Sequence, residues 1–140
     1  MYSSLTDLEK RLEPETLAAL ADDDKDGAAD TDVVNAAIDD ADSEIDSYLR
    51  VRYTLPLSST PDVIKSLSCA IAIYNLFLRR RETVSEEHQK RYEWAVSLLE
   101  KIAEGKIDIG DAPDVFEHDV PKTTSDPEER IFERNKMNNF

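Results

Sequence analysis

The chain has 140 residues, of which 40% are hydrophobic and 34% are charged, with three glycines and a single cysteine. This composition predicts one charge-rich helical domain and argues against a turn-rich β fold, a disulfide scaffold or a membrane protein. The net charge of −14 is concentrated in residues 1–46, which hold 15 acids and 3 bases. Because DNA binding draws on Lys and Arg side chains that neutralise phosphates, tight or sequence-specific DNA binding is disfavoured as well.

Two short helices are predicted at the start of the chain. Thr6 and Glu9 have the spacing of a capping box, which predicts a helix from Asp7 to Leu12. Pro14 suits the first turn of a second helix, predicted from Pro14 to Ala21. Their leucines are expected to pack inward.

The acidic stretch at residues 22–32 separates these helices from the next. Its Asp22, Asp24 and Asp26 match the opening ligands of an EF-hand calcium loop. Val33 occupies the twelfth loop position, where a bidentate Glu normally closes the site, so these three are only weak candidates for a metal. We favour an acidic turn in which Asp30 or Thr31 caps the following helix, and predict no metal or other cofactor.

A long amphipathic helix is predicted from Asp32 to Arg52, because Pro56 cannot continue a helix and disfavours helical backbone before it. Apolar residues recur every three or four positions along one face. These are Val34, Ile38, Ala41, Ile45, Tyr48 and Leu49. The acids between them predict a solvated back, formed by Asp39, Asp40, Asp42, Glu44 and Asp46.

A fourth helix is predicted with Thr60 as N-cap and Pro61 at its first position, and it ends at the arginines of residues 79–81. The segment is apolar on most sides, so it lies at the centre of a bundle or is partly covered by another subunit. We interpret these arginines as cations that stabilise the negative end of the helix and form salt bridges to an acidic neighbour, and not as a nucleic-acid site. Cys69, within this helix, is expected to be a small core residue.

Ser85 predicts the cap of a fifth helix, and Gly105 fits the left-handed position just after its end. Trp94 lies off the apolar stripe of this helix, which indicates either an intersubunit contact or a partly covered surface residue. The predicted fold is therefore all-α: a small helical bundle of two short N-terminal helices and three longer helices.

Residues 111–140 predict an extended C-terminal arm that follows the helical domain of residues 1–110. This part of the chain has three prolines and no sustained period, yet it keeps large apolar residues. Such a segment can become ordered on a partner. The side chains expected to bind that partner are Phe116, Ile131, Phe132, Arg134, Met137 and Phe140.

The sequence contains no constellation typical of catalysis. It lacks a Gly-rich phosphate loop and the GxSxG, HExxH and CxxC patterns, and its two histidines, His88 and His118, lie in different polar segments. We therefore predict that the protein is not an enzyme.

The most specific pattern is the corner after the long helix, Asp46-x-Tyr48-Leu49-x-x-Arg52-Tyr53-x-Leu55-Pro56-Leu57. It occurs with an N-terminal Tyr2-x-x-x-x-Asp7-Leu8 and a late Ile102-Ala103-x-Gly105. Together these residues resemble the Mu-like phage and prophage head–tail connector (adaptor) family, formerly a domain of unknown function. The resemblance covers about residues 1–110, and the corner carries it through Asp46, Tyr48, Arg52, Tyr53 and Pro56.

The resemblance implies a structural protein that forms a dodecameric ring beneath the portal in the virion neck, after assembly in the cytoplasm of the bacterial host. Its expected partners are other copies of itself, the portal protein, a downstream neck or tail-completion protein and the passing double-stranded DNA, with no membrane. The ring would extend the DNA channel, the arm would grip the portal, and Asp39, Asp40 and Asp42 would face the lumen or a subunit seam. The alternative is a soluble, acidic, calcium-responsive protein-binding module built on residues 22–32.

Overall fold

The computed structural model describes residues 1–110, which form five α-helices and no strands. The predicted all-α bundle of two short and three longer helices is thereby confirmed. The predicted arm, residues 111–140, lies outside the described residues. The helices are α1 (Leu5–Glu9), α2 (Pro14–Ala21), α3 (Thr31–Leu49), α4 (Asp62–Arg79) and α5 (Glu86–Ala103).

Helix α1 begins earlier than predicted, because a different capping box forms. The hydroxyl of Ser4 accepts a hydrogen bond from the backbone N–H of Asp7 at 3.3 Å, and the Asp7 carboxylate accepts one from the backbone N–H of Ser4 at 3.0 Å. The predicted pair of Thr6 and Glu9 was therefore wrong. Helix α2 has the predicted bounds, with Pro14 at its first position.

Helix α3 ends at Leu49, three residues before the predicted end at Arg52. The backbone N–H groups of Arg52 and Tyr53 both donate to the carbonyl oxygen of Leu49, at 3.0 and 2.8 Å, which closes a turn in place of further helix. Pro56 limits how far the helix could extend along the chain, but this turn ends it before that limit is reached. The peptide bond between Leu55 and Pro56 is cis.

Helix α4 lies at the centre of the bundle, where it packs against all four other helices. It begins at Asp62 with Pro61 as N-cap, one position later than predicted. Cys69 is completely buried, as expected of a core residue, and burial raises the pKa of its thiol. Burial on several sides within one chain explains why this helix is apolar on most of its surface.

Helix α5 has both predicted ends. The Ser85 hydroxyl accepts a hydrogen bond from the backbone N–H of His88 at 3.3 Å. At the other end Gly105 has a φ of +83°, and the backbone N–H of Lys106 donates to the carbonyl oxygen of Lys101 at 2.9 Å, as in a Schellman motif. None of the helices within residues 1–110 is long and apolar enough to cross a membrane.

Candidate functional site

A polar network of buried and half-buried side chains fixes the first residues of the chain to α3 and α4. The Tyr2 hydroxyl donates to Oδ1 of Asp46, and the Tyr2 backbone N–H donates to Oδ2 of Asp42 at 2.8 Å. The hydroxyl of Ser68 donates to Oδ1 of Asp42 at 2.7 Å and lies 2.7 Å from the hydroxyl of Ser3. Two carboxylates of α3 thus hold the N-terminal segment against the core.

The ionisation of Tyr2 follows from this arrangement. Burial, then the hydrogen bond to Asp46 and the negative charges of Asp46 and Asp42, raise the pKa of Tyr2 far above its ordinary value. The phenol therefore stays protonated and remains a donor across the pH range in which the protein is handled.

The predicted solvated back of α3 divides into two sets of acids. Asp42, Glu44 and Asp46 are half-buried and accept hydrogen bonds within the fold, Glu44 from the Tyr92 hydroxyl at 3.0 Å. For these three the prediction of a solvated face was wrong. Asp39 and Asp40 are exposed, as predicted. The Asp42 carboxylate is thus bonded within the fold, whereas Asp39 and Asp40 are open to solvent.

The corner that carries the resemblance is bound to the C-terminal end of α5. Tyr53 is only 2% exposed; its hydroxyl donates to Asp108 at 3.2 Å and accepts from the backbone N–H of Ile109 at 3.4 Å. A guanidinium nitrogen of Arg52 donates to the carbonyl oxygen of Ile102 at 3.4 Å, and the guanidinium carbon lies 5.6 Å from the centre of the Tyr53 ring. The corner therefore joins α3 to the last turn of the bundle.

The packing at Gly105 belongs to the same joint. A Cβ atom at this position would lie 3.4 Å from the guanidinium carbon of Arg52, on a backbone whose positive φ disfavours side chains.

Two other corner residues lie nearby in sequence: Tyr48 is half-buried and Pro56 is exposed. Burial, followed by the charges of Glu100 and Glu44, raises the pKa of Tyr48.

The acidic turn brings four carboxylates together. Asp22, Asp24, Asp26 and Asp30 each offer an oxygen, and these oxygens all lie within 4.8 Å of one another. Several already accept hydrogen bonds from the turn itself: Asp22 from the backbone N–H of Gly27 at 2.8 Å, and Asp24 from that of Asp26 at 3.1 Å. The arrangement could hold a cation, but in the structure it organises the backbone of the turn.

Crowding of these carboxylates affects their ionisation. The Asp26 backbone N–H lowers the pKa of Asp24, but desolvation, the bond with Asp22 and the charges of Asp26 and Asp30 outweigh it and raise that pKa. Asp30 is the N-cap residue of α3, as predicted, yet its side chain makes no capping bond. It accepts instead from the backbone N–H of Asp23 at 2.7 Å.

Two arginines at the end of α4 clamp this turn. The guanidinium groups of Arg79 and Arg80 both pair with the carboxylate of Asp23, and Arg80 also donates to the carbonyl oxygens of Leu20 and Asp22 at 3.1 and 2.6 Å. The predicted salt bridges between the arginine cluster and an acidic neighbour are thereby confirmed.

Two surface grooves flank α4. The first, here named the basic groove, has a volume of about 300 Å³ between α4 and α5. Its lining includes Arg11, Ser66, Ala70, His88, Arg91 and Trp94. The second, the acidic groove, has a volume of about 430 Å³ between α3 and α4. Its lining includes Asp32, Val33, Ala36, Ala37, Asp40 and Asn75.

Sequence reasoning missed the network at Tyr2 and both grooves. The partner-binding residues that it assigned to the arm lie outside the described residues, so their role stays a prediction. These are Phe116, Ile131, Phe132, Arg134, Met137 and Phe140.

Comparisons with known proteins show that the chain is similar to proteins of phage Mu and of a Mu-like prophage, as the sequence resemblance indicates. Residues 2–125 match the family described as Bacteriophage Mu, Gp36, a span that includes the Tyr2 network and the corner. A Mu-like prophage FluMu protein gp36 from Haemophilus influenzae is 36% identical over 110 residues, which cover 79% of this chain and 76% of that protein. The gene product J of Escherichia phage Mu is 34% identical over 85 residues, which cover 61% of this chain and 58% of that protein.

Proposed function

Because this chain belongs to the family described as Bacteriophage Mu, Gp36, we propose that it is a structural head–tail adaptor of a Mu-like phage. In this role it forms a ring beneath the portal in the virion neck, extends the DNA channel and docks the next neck or tail-completion protein. The observation that carries the proposal is the family match over residues 2–125. No catalytic step is part of this function.

The internal contacts support a rigid ring subunit. The residues that carry the resemblance, such as Tyr2, Asp46 and Tyr53, make their bonds within the bundle. They therefore stabilise the helical bundle. We assign the contacts with other proteins to the outer surface of the bundle and to residues 111–140.

The acidic surface suits a channel through which DNA passes. Exposed carboxylates repel phosphates, so an acidic wall lets a duplex slide without binding. Asp39 is exposed and lines neither groove described above, so we assign it to the channel. Replacing Asp39 with Lys should then slow genome ejection from assembled particles while the ring still forms.

The C-terminal arm is the proposed attachment to the portal. Its aromatic side chains, such as Phe132 and Phe140, fit grooves of a partner, and many copies in one ring multiply a weak contact through avidity.

Electron microscopy of the protein mixed with portal from the same phage tests this function. We expect rings on the portal with the full chain and none after deletion of residues 112–140, while circular dichroism shows that the bundle remains folded. A chain carrying Asn138→Ala and Asn139→Ala serves as a control with an intact arm. Portals still decorated by the truncated chain would contradict the role of the arm, and bare portals with the full chain would contradict the adaptor function.

A second function, a calcium-responsive binding module, is favoured by the convergence of Asp22, Asp24, Asp26 and Asp30. Val33 occupies the twelfth loop position, where a bidentate Glu normally closes the site, so such a site would be weak. A calcium titration separates the two functions.

A further inference from the structure

The basic and acidic grooves lie on opposite sides of one helix. Ser66 lines the basic groove and Asn75 the acidic groove, and both belong to α4. They are nine residues apart, or about two and a half helical turns, which places them on opposite faces. A subunit that contacts its neighbours head to tail needs two such different patches, because each copy meets one neighbour with each patch.

The charges of the two grooves are complementary. Among residues 1–110, the basic groove is lined by Arg11, Arg91 and His88 and by no acidic side chain. Arg91 also pairs with Glu87 at 2.8 Å, but an exposed pair one helical turn apart is worth little and exchanges partners readily. A concentration of positive charge is unexpected on a protein with a net charge of −14, so the groove fits an acidic partner.

The acidic groove supplies the opposite charge. Asp32 and Asp40 line it, and Arg79, the one cation that lines it within residues 1–110, is already paired with Asp23. Both acids are exposed.

The acidic groove also offers apolar contacts, from Val33, Ala36 and Ala37. The whole groove has a volume of about 430 Å³, which is more than an indole ring occupies. Trp94, at the basic groove, is 54% exposed, although a tryptophan is among the side chains that gain most from burial at an interface.

We propose that these grooves form the seam between adjacent copies of this chain. In the seam Trp94 of one copy enters the acidic groove of the next, and Arg91 and Arg11 face Asp40 and Asp32. The contact is heterologous, so repetition of it closes a ring when the rotation between copies allows. The seam rests on the proposed ring function and gives that ring a specific interface.

Charge reversal in the full-length protein tests the seam. We expect the wild type to associate beyond a dimer with increasing concentration in sedimentation velocity, and Arg91→Glu or Asp40→Lys to weaken association by at least about tenfold. Lys101→Glu is the matched control, since Lys101 is an exposed cation on the same helix that lines neither groove. Thermal melting checks that each variant is folded.

Mixing the two charge variants gives the sharpest result. Every seam in an alternating assembly then joins either Arg91 to Asp40 or the two reversed charges, so the mixture should associate more tightly than either variant alone. A mixture that stays monomeric, or that stops at a dimer, would overturn the heterologous seam.

The tryptophan provides an independent readout because Trp94 is the only one in the chain. We expect its emission to move to shorter wavelength on association, and Trp94→Ala to prevent association while Val51→Ala, at another exposed apolar residue, has no effect. Wild-type protein that remains monomeric, or that associates with Trp94 still open to hydroxyl-radical oxidation, would overturn the seam.

The seam and the adaptor function fail separately. Rings on the portal in which Trp94 is fully oxidised by hydroxyl radicals would overturn the seam and leave the adaptor function in place. Association through the grooves without any binding to portal would support the seam and count against the adaptor function.

Discussion

The hydroxyl of Tyr2 donates a hydrogen bond to the carboxylate of Asp46, 44 residues further along the chain. The bond crosses from the N-terminal segment to the last turn of α3, and both side chains are half-buried. Removing the donor leaves a charged acceptor without its partner, which costs more than the net value of an ordinary hydrogen bond.

Tyr2→Phe should therefore lower the free energy of unfolding by about 1–2 kcal/mol, measured by urea denaturation. Tyr48→Phe is the matched control, since Tyr48 is a half-buried tyrosine of α3 whose hydroxyl has no hydrogen-bond partner within residues 1–110. Equal losses in the two variants would show that the Tyr2 hydroxyl contributes nothing through Asp46.

The corner offers a second test. Tyr53→Ala should lower the free energy of unfolding by about 3–4 kcal/mol, because it empties a buried aromatic site and removes the hydroxyl that bonds to Asp108 and to the backbone N–H of Ile109. Arg52→Ala should cost only about 1 kcal/mol, since its bond to Ile102 is long and its contact with the Tyr53 ring is partly exposed.

Thermal and urea unfolding of both corner variants would check these values, with Arg50→Ala, an exposed arginine beside the corner, as control. An unchanged melting temperature in both variants would mean that the corner serves an interface and leaves the fold unaffected.

Local signals in the sequence were sufficient for most helix ends. Pro14, Ser85 and Gly105 each act through their own backbone geometry or a bond to a residue a few positions away, so the bounds they predict are correct. The start of α1 was misplaced because Ser4 with Asp7 and Thr6 with Glu9 are overlapping capping boxes, between which the sequence does not decide.

The polar network was not predictable in the same way, because its bonds join residues 26 to 65 positions apart. One signal was present: Asp42 directly follows Ala41 and precedes Ile45 by three positions, which places it beside the apolar stripe of α3 and not opposite to it. The grooves depend on how α3, α4 and α5 pack, which periodicity alone does not specify.

The pH dependence of stability should report the bond between Tyr92 and Glu44. Burial, then the hydrogen bond to Glu44 and its charge, raise the pKa of Tyr92 from 10.0 to about 12. Because this pKa is higher in the folded state, the stabilisation is complete below pH 10 and is lost as the pH rises towards 12. The melting temperature should therefore fall across this window.

Tyr92→Phe should make that fall shallower, whereas Glu82→Gln, at an exposed acid elsewhere, should leave it unchanged. Other tyrosines with raised pKa values, such as Tyr53, contribute the remaining slope. An identical pH profile in Tyr92→Phe and wild type would show that the bond to Glu44 does not couple proton release to folding.

Calcium binding by the acidic turn should be weak. Val33 stands where a bidentate Glu is needed, and the oxygens of Asp22 and Asp24 already accept bonds from the backbone of the turn. Arg79 and Arg80 also place positive charge beside the turn, at Asp23. We expect a dissociation constant no tighter than about 10⁻⁴–10⁻³ M in isothermal titration calorimetry of the full chain.

Asp24→Ala should then change the heat of titration little, as should Asp62→Ala, an exposed acid at the start of α4 that serves as control. Protons compete with any cation at Asp24, because its neighbours raise its pKa, so what binding there is should weaken as the pH falls. Micromolar binding that Asp24→Ala abolishes and Asp62→Ala preserves would contradict this expectation and favour the calcium-responsive module over the adaptor.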